Sequence, residues 1–289
     1  LGGLRFDNHR IEMFKTIAAM PDTFQPPIPQ PKQDLTSSYT PFSFNFGVVI
    51  HASSHFDIKL NTANGYAAPN YAQLASFGKH EGTYRFEVGE NALVMEKNLE
   101  FDGALVWKNS DVAITVNGYF NSMNDYIFIT PTADSIKGLR IYRWTQNDAN
   151  ISGFETDLEF HPHQSKWFEG MLRLGLTRGK LKDGKGDLPY IPATKVISGV
   201  TFKKENMGHW HKNYLQFQVG VYGKQDKVAQ FEMPTDGYAL ADIFIGTVPP
   251  FGKHERWDLV LFGTNLLNKG YFNHQSLVKS INIKEPGIN

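Results

Sequence analysis

Cysteine is absent from the 289 residues, which excludes disulfides, thiolate zinc sites and thiol nucleophiles. No stretch reaches the roughly 18 apolar residues of a membrane-spanning helix. Neither sign of charge is in excess. Lys plus Arg and Asp plus Glu each number 29, so the formal net charge is zero. A nucleic-acid partner is not expected, because such a protein needs a basic surplus to displace phosphate counterions. No secretory signal or targeting tag is visible. A Ser-His-Asp order, paired carboxylates in a recognisable frame and an HExxH helix are all missing, so an enzyme is not expected. Gly65, Gly78, Gly82 and Gly89 have no strand–GxGxxG–helix context and read as turn glycines rather than a phosphate cradle. No segment of useful length repeats its apolar residues at helical spacing.

What is present has period two. In Phe42 to His51 the bulky apolar residues stand at 42, 44, 46, 48 and 50. Phe56, Ile58 and Leu60 alternate with Asp57, Lys59 and Asn61, and the same rule places Leu215, Phe217, Val219 and Val221 against Gln216 and Gln218. Such alternation marks strands with one apolar and one polar face, and the chain is all-β. Eleven strands are expected, at 1–15, 42–51, 55–64, 97–108, 111–130, 140–161, 166–181, 195–206, 213–228, 237–248 and 257–272.

The connections alternate between two kinds. Short polar ones are Ala52 to Ser54, Lys108 to Ser110, Pro162 to Ser165, Met207 to Lys212 and Phe251 to Arg256. Long ones are Thr16 to Pro41, Gly65 to Lys97, Pro131 to Leu139, Lys182 to Thr194, Ala229 to Asp236 and Asn273 onwards. An antiparallel up-and-down meander built this way has its tight turns at one end and its long loops at the other. Several strands also exceed the usual 5–6 residues or so and the roughly 9–11 that cross a bilayer. Together these features predict a transmembrane β-barrel with an apolar band facing lipid and a polar lumen. Trp107, Trp144, Trp167, Trp257, Tyr119, Tyr126 and Tyr214 are expected in its aromatic girdles. A soluble β-sandwich shares the alternation but not the loop asymmetry. Eleven strands leave two open edges, so strands are expected to be missing at both ends, and the start at Leu1 reads as a strand in progress.

Several segments resemble one family. Asn64-Gly65-Tyr66-Ala67-Ala68-Pro69-Asn70-Tyr71-Ala72-Gln73-Leu74 is similar to the "G-[FY]-R-A-P-x-x-x-E-L" strand-to-loop motif of TonB-dependent outer-membrane receptors. Gly78 to Leu93, completed by Glu96 to Asn98, resembles the family's "G-x-H-x-G-T-x-x-[YF]-E-x-G-N-x-x-L-x-x-E" loop. Tyr119 to Ile127, Gln146 to Glu155, Asn265 to Tyr271 and Pro286 to Asn289 are similar to further family motifs, in order along the chain. Ala67 and Ile288 stand where the family usually has Arg, and Gln73 where it has Glu.

The resemblance implies the C-terminal portion of a receptor barrel over 1–289, about 11 of about 22 strands, with the N-terminal plug and the final strand absent. It implies a Gram-negative outer membrane with lipid around the wall, a small-molecule ligand, and coupling to the TonB complex through the missing plug region. No cofactor is implied. The transported ligand is expected to be a metal chelate, a ferric siderophore first, with haem, cobalamin, zinc or another scarce nutrient as further classes. A passive porin-like or adhesin barrel and a soluble all-β binding module are the alternatives.

Candidate ligand contacts lie in the long loops. His80 and His274, with Glu81, Glu87, Asn273 and Tyr84, form one candidate set for a metal or metal chelate. Tyr84, Arg85, Tyr142 and Arg143, near Trp144, form an aromatic and basic set suited to an anionic chelate through charge-assisted hydrogen bonds and cation–π contact. His161, His163, His209 and His211 fall in short turns and read as solvated. The proline-rich Pro21 to Pro31 reads as a stiff loop.

Overall fold

The computed structural model describes residues 1–14, 29–32, 34–250 and 257–288. The turn expected at 251–256 and most of the proline-rich 21–31 lie outside the described residues. The fold is almost entirely strand: β1 (Gly2–Phe6), β2 (His9–Met13), β3 (Leu35–Tyr39), β4 (Phe42–Ser53), β5 (Phe56–Ala67), β6 (Phe77–His80), β7 (Arg85–Val88) and β8 (Glu96–Lys108) come first. They are followed by β9 (Val112–Ile136), β10 (Leu139–Phe160), β11 (Phe168–Leu181), β12 (Lys195–Met207), β13 (Trp210–Tyr222), β14 (Tyr238–Val248) and β15 (Leu259–Gly263). One short helix, α1 (Tyr71–Ala75), interrupts them.

Thirteen strands share one sheet, whose main path runs β1-β4-β5-β8-β9-β10-β11-β12-β13-β14-β15. Every step of that path is antiparallel. The path has eleven strands, the number the alternation predicts. The expected strand at 1–15 divides, however. β2 leaves the main sheet and pairs with β3 in a separate ribbon, inside the segment read as a loop.

The two faces of the sheet differ as the pattern demands. Phe46, Val48, Leu60, Phe101, Leu105, Phe154, Leu172, Val200, Phe217 and Ile245 stand exposed on one face. The other face carries polar cross-strand bonds, with Asn61 Nδ2 donating to Asp102 at 3.1 Å and Asn121 Nδ2 to Glu100 at 3.1 Å. Arg173 Nε donates to Asp157 at 3.0 Å on the same face. Among the described residues no apolar layer is sandwiched by the strands. The buried clusters instead gather at the long-loop end, around Leu74, Ala75, Leu93 and Ile127, around Phe86, Val88, Ile136 and Ile141, and around Met123, Ala149 and Leu188. An outward apolar face with a polar inner one is what a lipid-facing barrel wall requires.

Three further expectations need correction. Pro131 to Leu139 is not a long loop. β9 and β10 continue to a two-residue turn, Lys137-Gly138, with φ of 49° and 78°. Positive φ at both central residues matches the twist of the flanking strands. The last strand is shorter than 257–272, because Asn265 and Asn268 adopt positive φ and turn the chain after Gly263. Of the expected girdle, Trp107, Trp167 and Trp257 are exposed, and Trp167 stacks on Phe202 at 6.1 Å. Tyr119 and Tyr214 instead lie over glycines of the next strand, Gly153 and Gly246, on the polar face. Tyr126 and Trp144 pack against the buried loop clusters.

Candidate functional site

The site is assembled from loops, and the first of them runs from β5 to β8. It starts with Asn70, which caps α1 by accepting from Gln73 N at 3.0 Å, while Gln73 Oε1 accepts from Asn70 N at 2.8 Å. The capping box is therefore complete with Gln where the family carries Glu, since an amide oxygen accepts as a carboxylate does. Gly89 then passes so close to α1 that an added Cβ would sit 2.6 Å from Ala75 N and 2.7 Å from Leu74 C. Only a residue without a side chain permits this approach.

Between them, the β6–β7 hairpin lies at the outer rim. β7 pairs parallel with β10, Phe86 opposite Ile141, Glu87 opposite Tyr142 and Val88 opposite Arg143. It takes the edge that β11, pairing only from Ala149 downward, leaves free. This register brings Arg85, Glu87 and Tyr142 together. Arg85 Nε donates to Glu87 Oε1 at 2.7 Å, and the guanidinium carbon lies 4.8 Å from the centre of the Tyr142 ring. All three are buried, and Arg85 Nη1 has no hydrogen-bond partner among the described residues.

A second cluster forms where the β13–β14 loop meets the segment after β15. Lys279 Nζ donates to Glu232 Oε1 at 2.8 Å, and His274 Nε2 stands 3.2 Å from the same oxygen. Because a carboxylate can only accept, Nε2 carries the imidazole proton and Nδ1 accepts from the Thr235 hydroxyl at 2.9 Å. Glu232 also accepts from the backbone N–H groups of Tyr190, at 3.0 Å, and Ala229, at 3.1 Å. Burial opposes its ionisation, but the bonds from His274 and Lys279 prevail and hold the carboxyl down at about 2.

Tyr190, from the β11–β12 loop, joins the two clusters. Its ring lies 5.1 Å from Lys279 Nζ, its backbone N–H donates to Glu232, and its hydroxyl lies within electrostatic reach of Tyr142 and Arg85. Burial first, and Tyr142 second, push that hydroxyl above its ordinary pKa, so it stays neutral.

The expected site residues therefore separate. Arg85, Glu87 and Tyr142 converge, while His274 stands in the second cluster beside Glu232 and Lys279. His80 bonds instead to Thr83 Oγ1 at 2.9 Å, and the exposed Glu81 lies 3.5 Å from Lys79. Tyr84 is exposed, with Lys79 over its ring at 5.1 Å. Arg143 is half-buried in β10 opposite Thr130. Asn273 shapes a turn by accepting from Gln275 N and Ser276 N, each at 3.0 Å. Among the described residues, no three His, Asp or Glu side chains gather in an arrangement suited to a metal ion.

Tyr190, Glu232, Thr235 and Lys279 were not anticipated, because nothing in a Pro- and Gly-rich loop announces that a lone charged residue is buried. Of the short-turn histidines, His161, His163 and His209 are exposed, as expected. His163 Nδ1 lies 2.6 Å from Asp111, and the backbone N–H of His163, more than its ring, holds that carboxyl at about 2.

Solved structures share this architecture. The superposition on a protein titled copper transporter OprC has a TM-score of 0.75, at 18% identity over 99% of this chain and 43% of that one. The FrpB iron transporter from Neisseria meningitidis (F3-3 variant) gives 0.68 at 12% identity, over 99% and 41%. The siderophore receptor PirA from Acinetobacter baumannii gives 0.61 at 16% identity, over 88% and 41%. At these identities the likeness concerns the fold, and the chain spans about two-fifths of each structure's length. The sequence pattern described as TonB dependent receptor-like, beta-barrel, matches residues 1–266. With its alternating faces, one-ended loops and that match, the chain belongs to the TonB-dependent receptor β-barrel family of the bacterial outer membrane.

Proposed function

We propose that this chain forms wall and outer loops of an active transporter, energised through TonB, that takes up a metal chelate, a ferric siderophore in the first place. The observation that carries the reading is the Arg85 guanidinium. It is buried, stacked on Tyr142 and left with one nitrogen unpaired. A desolvated cation bearing a spare donor favours an anionic ligand, and the aromatic rings beside it favour a flat one. Proteins of the same fold titled as copper and iron transporters and as a siderophore receptor support the same class of cargo.

In this reading Arg85 and Tyr142 contact the chelate. Glu87 orients the guanidinium, and Tyr84, His80, Glu81, Arg143, Asn273 and His274 shape the surrounding loops. The ligand binds without any bond being made or broken. Movement of the domain that fills the barrel, pulled through TonB, then opens the path.

The test is uptake of radioactive iron by iron-starved cells whose receptor gene is deleted and restored. Uptake of a ferric chelate that depends on both the receptor and TonB supports the proposal, and Arg85→Ala is expected to weaken binding about tenfold or more. Ion conductance that persists without TonB, with no chelate uptake, would replace it by the passive porin-like alternative.

A further inference from the structure

The tip of the β9–β10 hairpin carries a feature that the transport reading leaves unused. Between it and the β6–β7 hairpin lies a cavity of about 480 Å³, lined by Lys79, Tyr84, Phe86, Ile136 and Leu139 among others. Its volume is that of an ordinary small-molecule pocket, and its make-up, mostly apolar with a few polar groups, is the usual one.

The apolar part is rigid. Phe86 and Ile136 belong to a buried cluster, and Phe77 braces Phe86 edge-on at 5.2 Å. The polar part is strained and charged. Tyr84 holds a left-handed backbone, φ 52° and ψ 42°, which is unusual for a bulky residue and strained. Lys79 lies over the Tyr84 ring at 5.1 Å. Its carboxylate neighbour, Glu81, is 3.5 Å away with a side chain 86% exposed, and such a pair neutralises little. The cavity is therefore apolar along Phe86, Ile136 and Leu139, with two lysines, Lys79 and Lys137, in its lining.

Position decides where its occupant comes from. The exposed apolar side chains of β9 end at Phe120, and Ile136 lies sixteen residues further along the same strand. At about 3.3 Å per residue this is roughly 50 Å along a strand tilted by about 40°, or about 40 Å above Phe120, out of reach of acyl chains. A ligand here arrives from the outside medium.

We infer that this cavity binds a small aromatic carboxylate, its ring against Phe86, Ile136 and Leu139 and its anion on Lys79. The inference does not depend on which cargo the barrel transports. Gly78 and Glu87 form the opposite face of the β6–β7 hairpin from Lys79 and Phe86, so the test acts on Lys79 itself.

The experiment uses the full-length receptor in amphipol, with 2-naphthoate and its neutral analogue 2-naphthamide as probes in saturation-transfer NMR titrations. The expected result is naphthoate binding at least tenfold tighter than naphthamide, weakened about tenfold by Lys79→Met and lost in Lys79→Glu. Each variant is first checked for the heat-dependent gel migration of a folded barrel. Equal binding of the two probes overturns the proposal. So does naphthoate binding unchanged by Lys79→Glu or Lys79→Met, or absent at millimolar concentration in the unaltered receptor. Chelate uptake, measured separately, is free to succeed or fail without altering any of these results.

Discussion

Lys279 and Glu232 form an ion pair at 2.8 Å although 47 residues separate them, and each side chain is 3% exposed. Burying two charges is costly, and removing one partner alone is worse, because the other stays in a poorly polarisable setting. Lys279→Met is therefore expected to destabilise the outer loops by about 3–5 kcal/mol. Hydrogen exchange should accelerate in 223–237 and 273–285 while the strands stay protected. The double variant Lys279→Met/Glu232→Gln should recover part of the loss. A double variant as damaged as the single one would refute this account.

The same pair sets an acid limit. Glu232 is depressed from an ordinary 4.5 to about 2, so its contribution is fully present above about 4.5 and disappears as pH falls towards 2. Pepsin, active throughout this window, should cut the 223–237 loop only near its lower end. In Glu232→Gln the cleavage should begin at higher pH and lose its steep dependence. A loop cut equally at pH 4.5 and pH 2.5 would count against the pair as its clasp.

Gly89→Ala places a methyl against the backbone of Leu74 and Ala75, which cannot swing aside as a side chain would. The expected cost is about 1–3 kcal/mol. It should appear as faster exchange at Glu90 and Leu93, with the β12–β13 hairpin unaffected. Equal protection at all these sites would show that α1 yields freely.

Gln73→Ala removes one half of the capping box around α1, and a loss of about 0.5–2 kcal/mol is expected in local opening of 70–76. Gln73→Glu should be nearly silent, because the carboxylate accepts from Asn70 N in the same place. Exchange of the Ser76 amide reports both. A Glu variant as weak as the Ala variant would separate this helix from its cap.

The wall was legible in the sequence because one strand period governs it. Phe46, Val48 and Leu60, or Phe217 and Val219, declare their face by alternation alone, and the eleven-strand path follows. The rim was less legible where local chemistry and tertiary setting disagree. Pro131 and Asp134 read as loop residues, yet β9 carries both through to Lys137, because strand pairing with β10 outlasts the bilayer band. Tyr119 and Tyr214 read as girdle residues, since alternation does not reveal that a glycine opposite lets a ring lie down. In the site, Arg85 and Tyr142 were visible as an aromatic and basic set. Their link to Glu232 and Lys279 was not, because it joins five separate stretches of chain with no periodicity between them.

The parallel seam between β7 and β10 has one more consequence. The loop that leaves β5 crosses to the free edge of β10 before returning to β8, so its two anchorages lie three strands apart around the wall. It works as a strap sewn across a quarter of the rim's strands or more, counted along this eleven-strand arc. To spread the mouth in that arc, the seam at Phe86 to Val88 and the cluster beneath it would have to tear together. The spacing of β5, β8, β9 and β10 at the rim is thereby tied to this one seam.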